Sequence, residues 1–303
     1  MLVNYNDQIK VLNSIRNGTI LEALKLDVKI IDDHIRHKPS NFNIVLGHAN
    51  VGKTSFILFY MLCYSLKHDL KWLICSTENE SYSLIRKLIE YLDEKPINHM
   101  TETDFKKHSI WINEHFKFVD NTTMYDYQTA LQMFGKVKDE FQYDGILLDP
   151  YNALTKNYDM LKNLGGHEYD YQACTEMRMF CKEHKITMWL NTHASTGALR
   201  MVHSSDHEFA RHEMPPKASD VEGGGKFVNR ADDFMVVHRY IGHEYYWTDT
   251  MIHIRKVKEM ETGGKTTPID KPIRLTSMVG SVGFVIDGKS IVQMIKESKA
   301  TYL

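Results

Sequence analysis

The sequence predicts an α/β domain: a mainly parallel sheet flanked by helices, with an antiparallel extension toward the C-terminus. Three observations predict it. Short apolar runs alternate with helical stretches between residues 42 and 192, the βα order that builds a parallel sheet covered on both faces. A glycine-bounded turn, Gly47–Thr54, joins the first apolar run to the first long helix. After Thr192 the pattern changes to a polar stretch and then to shorter strand-like runs, which fit an antiparallel continuation of the same sheet.

Bulk properties narrow the class. The 303 residues suit one large α/β domain with small appendages. A content of 43% hydrophobic and 25% charged residues is that of an ordinary globular protein, which excludes a disordered or fibrous chain. The net charge of −2 excludes a chain that grips nucleic acid over its whole surface; any such contact must be local, in a loop or channel. No apolar run approaches the roughly 18–20 residues of a membrane span. The segment Met1–Asp7 lacks a basic region followed by an apolar one, so no secretion signal is expected. Cys63, Cys75, Cys174 and Cys181 form no C-x-x-C pair and read as reduced thiols of a cytoplasmic protein. His203, His207 and His212 fall close together without a companion ligand at metal-site spacing, and read as a solvated loop.

The elements follow in order. Residues 1–25 read as a helical arm, with Ile9, Leu12 and Ile15 as its apolar stripe and Asn17-Gly18 as a stop signal. Residues 26–303 read as one domain. Strands are expected at Phe42–Leu46, Lys71–Ser76, Phe116–Val119, Gly145–Asp149 and Ile186–Thr192. Helices are expected at Ser55–Leu66, Tyr82–Leu92, Tyr127–Phe141 and Tyr171–Lys182. Residues 195–218 are polar and irregular and hold Pro215-Pro216. Beyond Gly223-Gly224-Gly225, strands at Phe234–His238, Thr250–Val257, Ile273–Leu275 and Gly283–Ile286 make the antiparallel extension. The short basic tail after Ile286 yields no prediction.

Gly47-His48-Ala49-Asn50-Val51-Gly52-Lys53-Thr54 fits the phosphate-loop pattern G-x-x-x-x-G-K-[ST]. Glycines let consecutive N–H groups point at phosphates, and the following helix adds its positive N-terminal dipole. Lys53 is placed to reach the β- and γ-phosphates of ATP, and Thr54 to bind Mg²⁺. Ser55 and Arg239 join the nucleotide-contact candidates. The apolar strand ending in Asp149 offers the acid that holds water on the metal. Pro150 follows it, so the base that orients the attacking water is sought after the second strand, in Thr77-Glu78-Asn79-Glu80. Glu78 is the candidate, with Glu80 as the alternative.

Taken together, these features resemble the RecA superfamily and, within it, the DnaB-like hexameric replicative helicases, including the helicase half of phage primase–helicases. The stretch Ser219-Asp220-Val221-Glu222-Gly223-Gly224-Gly225-Lys226-Phe227-Val228-Asn229-Arg230-Ala231-Asp232 is similar, without gaps, to that family's S-D-L-R-x-S-G-x-I-x-Q-x-A-D. The resemblance covers about residues 30–290 and implies a RecA-like ATPase core. It also implies a γ-phosphate sensor at His193, and a channel loop at Gly223, Gly224, Gly225 and Lys226, with Asn229 in place of the family glutamine, that holds single-stranded DNA by its backbone. Glu222 departs from the arginine often found there. In Ile254-Arg255-Lys256-Val257-Lys258 the pattern is K-x-K where the helicases show K-x-R. Lys258 is the candidate finger on the neighbouring subunit's γ-phosphate, with Lys256 beside it and Arg255 as fallback. A lysine supplies the charge but not the fork of donors.

The implied protein is a ring-forming, ATP-driven translocase on single-stranded DNA, a hexamer working in the cytoplasm, that of a bacterial host for a phage-borne gene. No primase module is read on the chain, so priming or loading would fall to a separate protein. Two alternatives stay open. A RecA-like recombinase filament is favoured by the paired lysines, and a non-translocating regulatory ATPase by Glu222 and the near-neutral charge.

Overall fold

The alternation of apolar runs and helices builds a sheet of ten described strands in the computed structural model, which describes residues 2–19 and 22–300. The strands are β1 (Phe42–Gly47), β2 (Trp72–Ser76), β3 (Phe116–Phe118), β4 (Gly145–Asp149), β5 (Thr187–His193), β6 (Asp233–His238), β7 (Asp249–Lys256), β8 (Ile273–Ser277), β9 (Phe284–Ile286) and β10 (Lys289–Ser290). Their order across the sheet is β10-β9-β8-β7-β6-β1-β5-β4-β2-β3. From β3 to β6 every pairing is parallel, and from β6 to β10 every pairing is antiparallel.

The helices are α1 (Tyr5–Arg16), α2 (Lys29–Asp32), α3 (Lys53–His68), α4 (Ser81–Asp93), α5 (Glu102–His115), α6 (Tyr127–Glu140), α7 (Tyr158–His184), α8 (Lys226–Arg230), α9 (Met260–Gly263) and α10 (Ile291–Ala300). Alternate strand residues feed two cores. Val45, Ile74, Leu147 and Trp189 pack with α3, α4 and α10 on one face; Ile44, Leu46, Ile146 and Leu190 pack with α6 and α7 on the other. This is why β1 and β4 are near-continuous apolar runs rather than alternating, apart from Asn43 in β1 and the terminal Asp149 of β4: each is buried along its full length. Phe59 of α3 meets Phe284 of β9 ring to ring at 4.9 Å, and Ile291, Val292 and Ile295 of α10 are fully buried in the same core. The antiparallel extension is thereby welded to α3, the helix that follows the Gly47–Gly52 turn.

Several elements differ from expectation, among them α5, where the sequence pattern predicts no helix. The sequence pattern puts Phe234–His238 in the antiparallel extension, but β6 runs parallel to β1, with Asn43 opposite Asp233 and Leu46 opposite Val236. The long connection from β5 supplies the crossover that a parallel partner requires, and the antiparallel part begins at β7. The helix expected at Tyr171–Lys182 runs from Tyr158 to His184, with Gly165 breaking it at φ 74° and ψ 162°. The unassigned tail forms β10 and α10.

In the expected N-terminal arm, Asn4 caps α1 by accepting from the N–H of Asn6, Asn17 ends it, and none of its residues, all described, is buried. Residues 1, 20 and 21 of that arm lie outside the described residues. The chain just beyond belongs to the body: Leu24 bridges His37, and Leu26, Val28, Ile31 and Ile35 are core residues.

Candidate nucleotide-binding site

Four adjacent parallel strands end side by side. Gly47 at the end of β1 lies opposite His193 of β5, and Asp149 of β4 lies opposite Ser76 of β2. Polar groups at strand ends therefore converge on the loop that leaves β1. That loop needs its glycines. A Cβ on Gly47 would meet the Val237 carbonyl oxygen at 2.5 Å, and Gly52, which caps α3, sits at φ 88°.

Lys53 opens α3 and is buried. Its ammonium donates to the carbonyls of His48 (2.8 Å) and Gly47 (3.2 Å). Burial lowers its pKa, against the opposing pull of the Asp149 and Glu78 charges. Thr54 Oγ1 donates to Oδ2 of Asp149 at 2.7 Å, and the Asn191 amide donates to Oδ1 at 2.7 Å. Asp149 is 1% exposed. Burial raises its pKa, and the bonds from Thr54 and Asn191 hold it down. A buried carboxylate facing a threonine hydroxyl and a lysine suits a divalent cation, which takes hard oxygen ligands.

Glu78 stands two residues past β2, half-exposed, and its Oε1 lies 3.2 Å from Nε2 of His193. Two residues read separately from sequence, a base and a sensor, are thus one hydrogen-bonded pair. Glu80 instead occupies the N-cap position of α4 and is exposed. Arg239 packs against the loop, its Cδ 3.6 Å from a Cβ built on Gly52, and donates to the Trp247 carbonyl. The buried atoms Arg239 Nε, Thr77 Oγ1 and His48 Nδ1 around the loop have no protein partner. His48 Nε2 lies 3.3 Å from the Met214 carbonyl, which ties the irregular segment 195–218 to the loop.

No protein-family model matches the chain. The Twinkle homolog protein, chloroplastic/mitochondrial, of Arabidopsis thaliana is 25% identical over 251 residues, covering 78% of this chain and 33% of that protein. The chain thus spans about a third of the length of this curated relative. A solved ATPase domain superposes with a TM-score of 0.68 at 15% identity, over 92% of this chain and 97% of that one. A DnaB-like replicative helicase, solved in relation to primase, gives 0.65 at 16% identity, over 94% and 67%. The KaiC-like protein PH0186 of Pyrococcus horikoshii OT3 gives 0.53 at 13%, over 88% and 97%. The chain has the RecA-like fold of DnaB-type helicase ATPase domains.

Within this RecA-like fold the remaining candidates fall in two places. The glycine loop hangs from the end of β5: Ala194 bridges Val221, and the Glu222 N–H donates to the His193 carbonyl at 3.0 Å. Gly223 and Gly224 take φ 102° and 92°. Gly223, Gly225 and Asn229 are exposed. Lys226, expected beside the glycines as a phosphate-holding cation, points inward. It is buried, and its ammonium lies 3.2 Å from both Oδ2 of Asp170 and the His167 carbonyl. Asp170 is also bound by Tyr151 and Lys156, so an acid already anchored to α7 draws the lysine in.

The basic strand lies elsewhere. Lys256 pairs in register with Phe234, at the start of β6, and donates to the Val228 and Ala231 carbonyls that end α8. Lys258 is half-exposed and lies 3.1 Å from Asp232 Oδ1, which Arg178 also binds at 2.6 Å. Arg255 contacts Nδ1 of His253. All three are at the end of the sheet remote from Gly47–Thr54. Sequence reasoning missed Asn191 and Asn152. A strand asparagine and one three residues past Asp149 carry no local signal, because their partners come from other strands.

Proposed function

We propose that this protein is an ATP-driven translocase that tracks single-stranded DNA and unwinds duplex as a replicative helicase. It works as a ring of identical subunits, a hexamer, with ATP and Mg²⁺ held between neighbours. The observation that carries this reading is the direct linkage of the Glu78–His193 pair to the Gly223–Gly225 loop through the His193 backbone. A device that only hydrolyses ATP has no need to suspend a loop from its γ-phosphate sensor. The similarity to the Twinkle homolog over 251 residues supports the helicase class.

The residues present fit MgATP. Loop N–H groups, Lys53 and Arg239 would hold phosphates and sugar or base; Thr54 and Asp149 would hold the metal. When bound, MgATP supplies the phosphoryl group that passes to water. Glu78 orients that water and takes its proton, and His193 fixes the carboxylate in place. Lys53 neutralises charge on the phosphate oxygens. Lys258 cannot serve its own loop from the far end of the sheet, so it serves a neighbour's. Head-to-tail contacts of this kind close into rings or open into filaments.

A regulatory, non-translocating ATPase is the second reading, favoured by the carboxylate of Glu222 beside the glycines and by the near-neutral net charge. Electron microscopy with a non-hydrolysable ATP analogue and oligo-dT, paired with a strand-displacement assay, separates the readings. Closed or lock-washer hexamers with displacement support the helicase. Long helical filaments point to a recombinase, and assemblies indifferent to DNA point to the regulator.

A further inference from the structure

A surface amide holds the end of β5. Asn152 lies in the short turn Tyr151–Ala153, three residues past Asp149. Its Oδ1 accepts from the Thr192 hydroxyl and from the His193 backbone N–H, both at 3.0 Å. Two donors fill both lone pairs of an amide oxygen and so fix the amide plane. The Nδ2 of that fixed amide donates to Oε2 of Glu222 at 2.8 Å, a bond strengthened by the carboxylate charge. Glu222 donates its own N–H to the His193 carbonyl at 3.0 Å. His193 is therefore held at its N–H by Asn152 and at its C=O by Glu222, while its ring meets Glu78 at 3.2 Å.

We propose that Asn152 is the positioning residue that passes occupancy of the Gly223–Gly225 loop to the His193–Glu78 pair, with Glu222 as the group that feels the bound polynucleotide. The proposal rests on the translocase reading above. Glu222 immediately precedes the glycines. A phosphodiester held by the loop N–H groups repels its carboxylate and displaces it. The Asn152 amide cannot turn to follow without giving up its bonds to Thr192 and His193. The displacement is therefore passed to the His193 backbone, and with it to the ring that holds Glu78. This accounts for an acid where the similar helicase stretch often carries arginine. An arginine would turn donors toward the Nδ2 of Asn152, itself a donor, and the link would be lost. Acid and amide are matched to each other.

The test compares ATP turnover with and without oligo-dT for the full chain, Asn152→Ala, Glu222→Ala and Glu222→Arg, beside oligo-dT binding by fluorescence anisotropy. Asn152 and Glu222 are both exposed, so the truncations leave the core intact. The wild type is expected to turn over faster with oligo-dT. In all three variants turnover becomes the same with and without it, although Asn152→Ala binds oligo-dT as the wild type does and Glu222→Arg binds it more tightly. Stronger binding with lost stimulation is a split that a plain DNA-contact role does not give. Stimulation equal to wild type in Asn152→Ala and Glu222→Arg overturns the proposal and leaves the translocase reading standing. A wild type that neither binds oligo-dT nor responds to it overturns that reading and the proposal together.

Discussion

The ammonium of Lys258 lies 3.1 Å from Oδ1 of Asp232, and Asp232 is bonded to the backbone of Phe42 at the start of β1. The candidate phosphate loop begins at the other end of that strand, at Gly47. Five residues of strand at about 3.3 Å each separate the two ends by roughly 16 Å, well beyond what a lysine side chain can span. The candidate finger and the candidate phosphate loop of one chain thus face opposite sides of it.

Glu78→Gln keeps the shape of the side chain and a contact to His193 but removes the base. Turnover is expected to fall by about 10²–10⁴-fold, the usual contribution of a positioned base. Affinity for a fluorescent ATP analogue should stay at the wild-type value. Full turnover in this variant moves the base elsewhere, Glu80 first.

The turn after Lys258 is fixed by backbone geometry. Gly264 sits at φ 104°, and a Cβ there would meet the His34 carbonyl carbon at 2.6 Å and its oxygen at 2.7 Å. Neither atom can move without the segment that carries Ile31 and Ile35 into the core. Gly264→Ala should destabilise the fold by about 1–3 kcal/mol, the cost of a strained backbone position, read as a lower urea midpoint with an unchanged slope. An unchanged midpoint would show that the turn adapts.

Three buried histidines set the acid limit. Burial pushes His37, His238 and His253 down to about 3; the charges of nearby histidines add to it for His37 and His238, and that of Arg255 for His253. Each is neutral in the folded chain and takes a proton near 6.5 when unfolded. Their contribution is complete above pH 6.5 and is lost as pH falls from there toward 3. Each group adds about 1.4 kcal/mol per pH unit, so the three together approach 4 kcal/mol per unit inside that window. Urea titrations at pH 8, 6 and 5 should show a clear loss already at pH 6 and a steeper one below. A flat profile to pH 5 contradicts the assignment.

No residue of α1, all of them described, is buried, and Leu2, Val3, Tyr5, Val11 and Leu12 are exposed. Deleting residues 2–18 should leave the melting temperature of the body unchanged. If the arm docks on a neighbour, sedimentation of the ATP-analogue complex should shift to smaller species. Loss of body stability would place the arm on its own core instead.

Most of the fold is legible because parallel strands buried on both faces are nearly pure apolar runs. The apolar run at β4 matches the strand residue for residue, and that at β1 to within its last glycine. The failures have local causes. α5 buries only Ile112 and His115, so its apolar stripe is too thin to stand out. The break at Gly165 hides the first turns of α7. Ile291, Val292 and Ile295 do carry helical spacing, but on a stretch too short to weigh against its lysines. In the site, Asp149, Glu78 and His193 are legible as residue types at or just past strand ends, and Lys53 and Thr54 as the opening residues of α3. Their pairing is not, and neither are Asn152, Asn191 and the inward turn of Lys226, because each depends on a partner at least 40 residues away.

The most direct test mixes two inactive subunits. Lys53→Ala lacks its own phosphate-binding lysine but keeps Lys258; Lys258→Ala keeps an intact loop but lacks the finger. In a ring with shared sites, mixed assemblies contain interfaces that pair the intact loop of one with the intact Lys258 of the other. ATP turnover with oligo-dT should therefore reappear on mixing and peak at intermediate ratios. No activity at any ratio, from two variants that each assemble as the wild type does, would contradict a site completed by the neighbouring subunit.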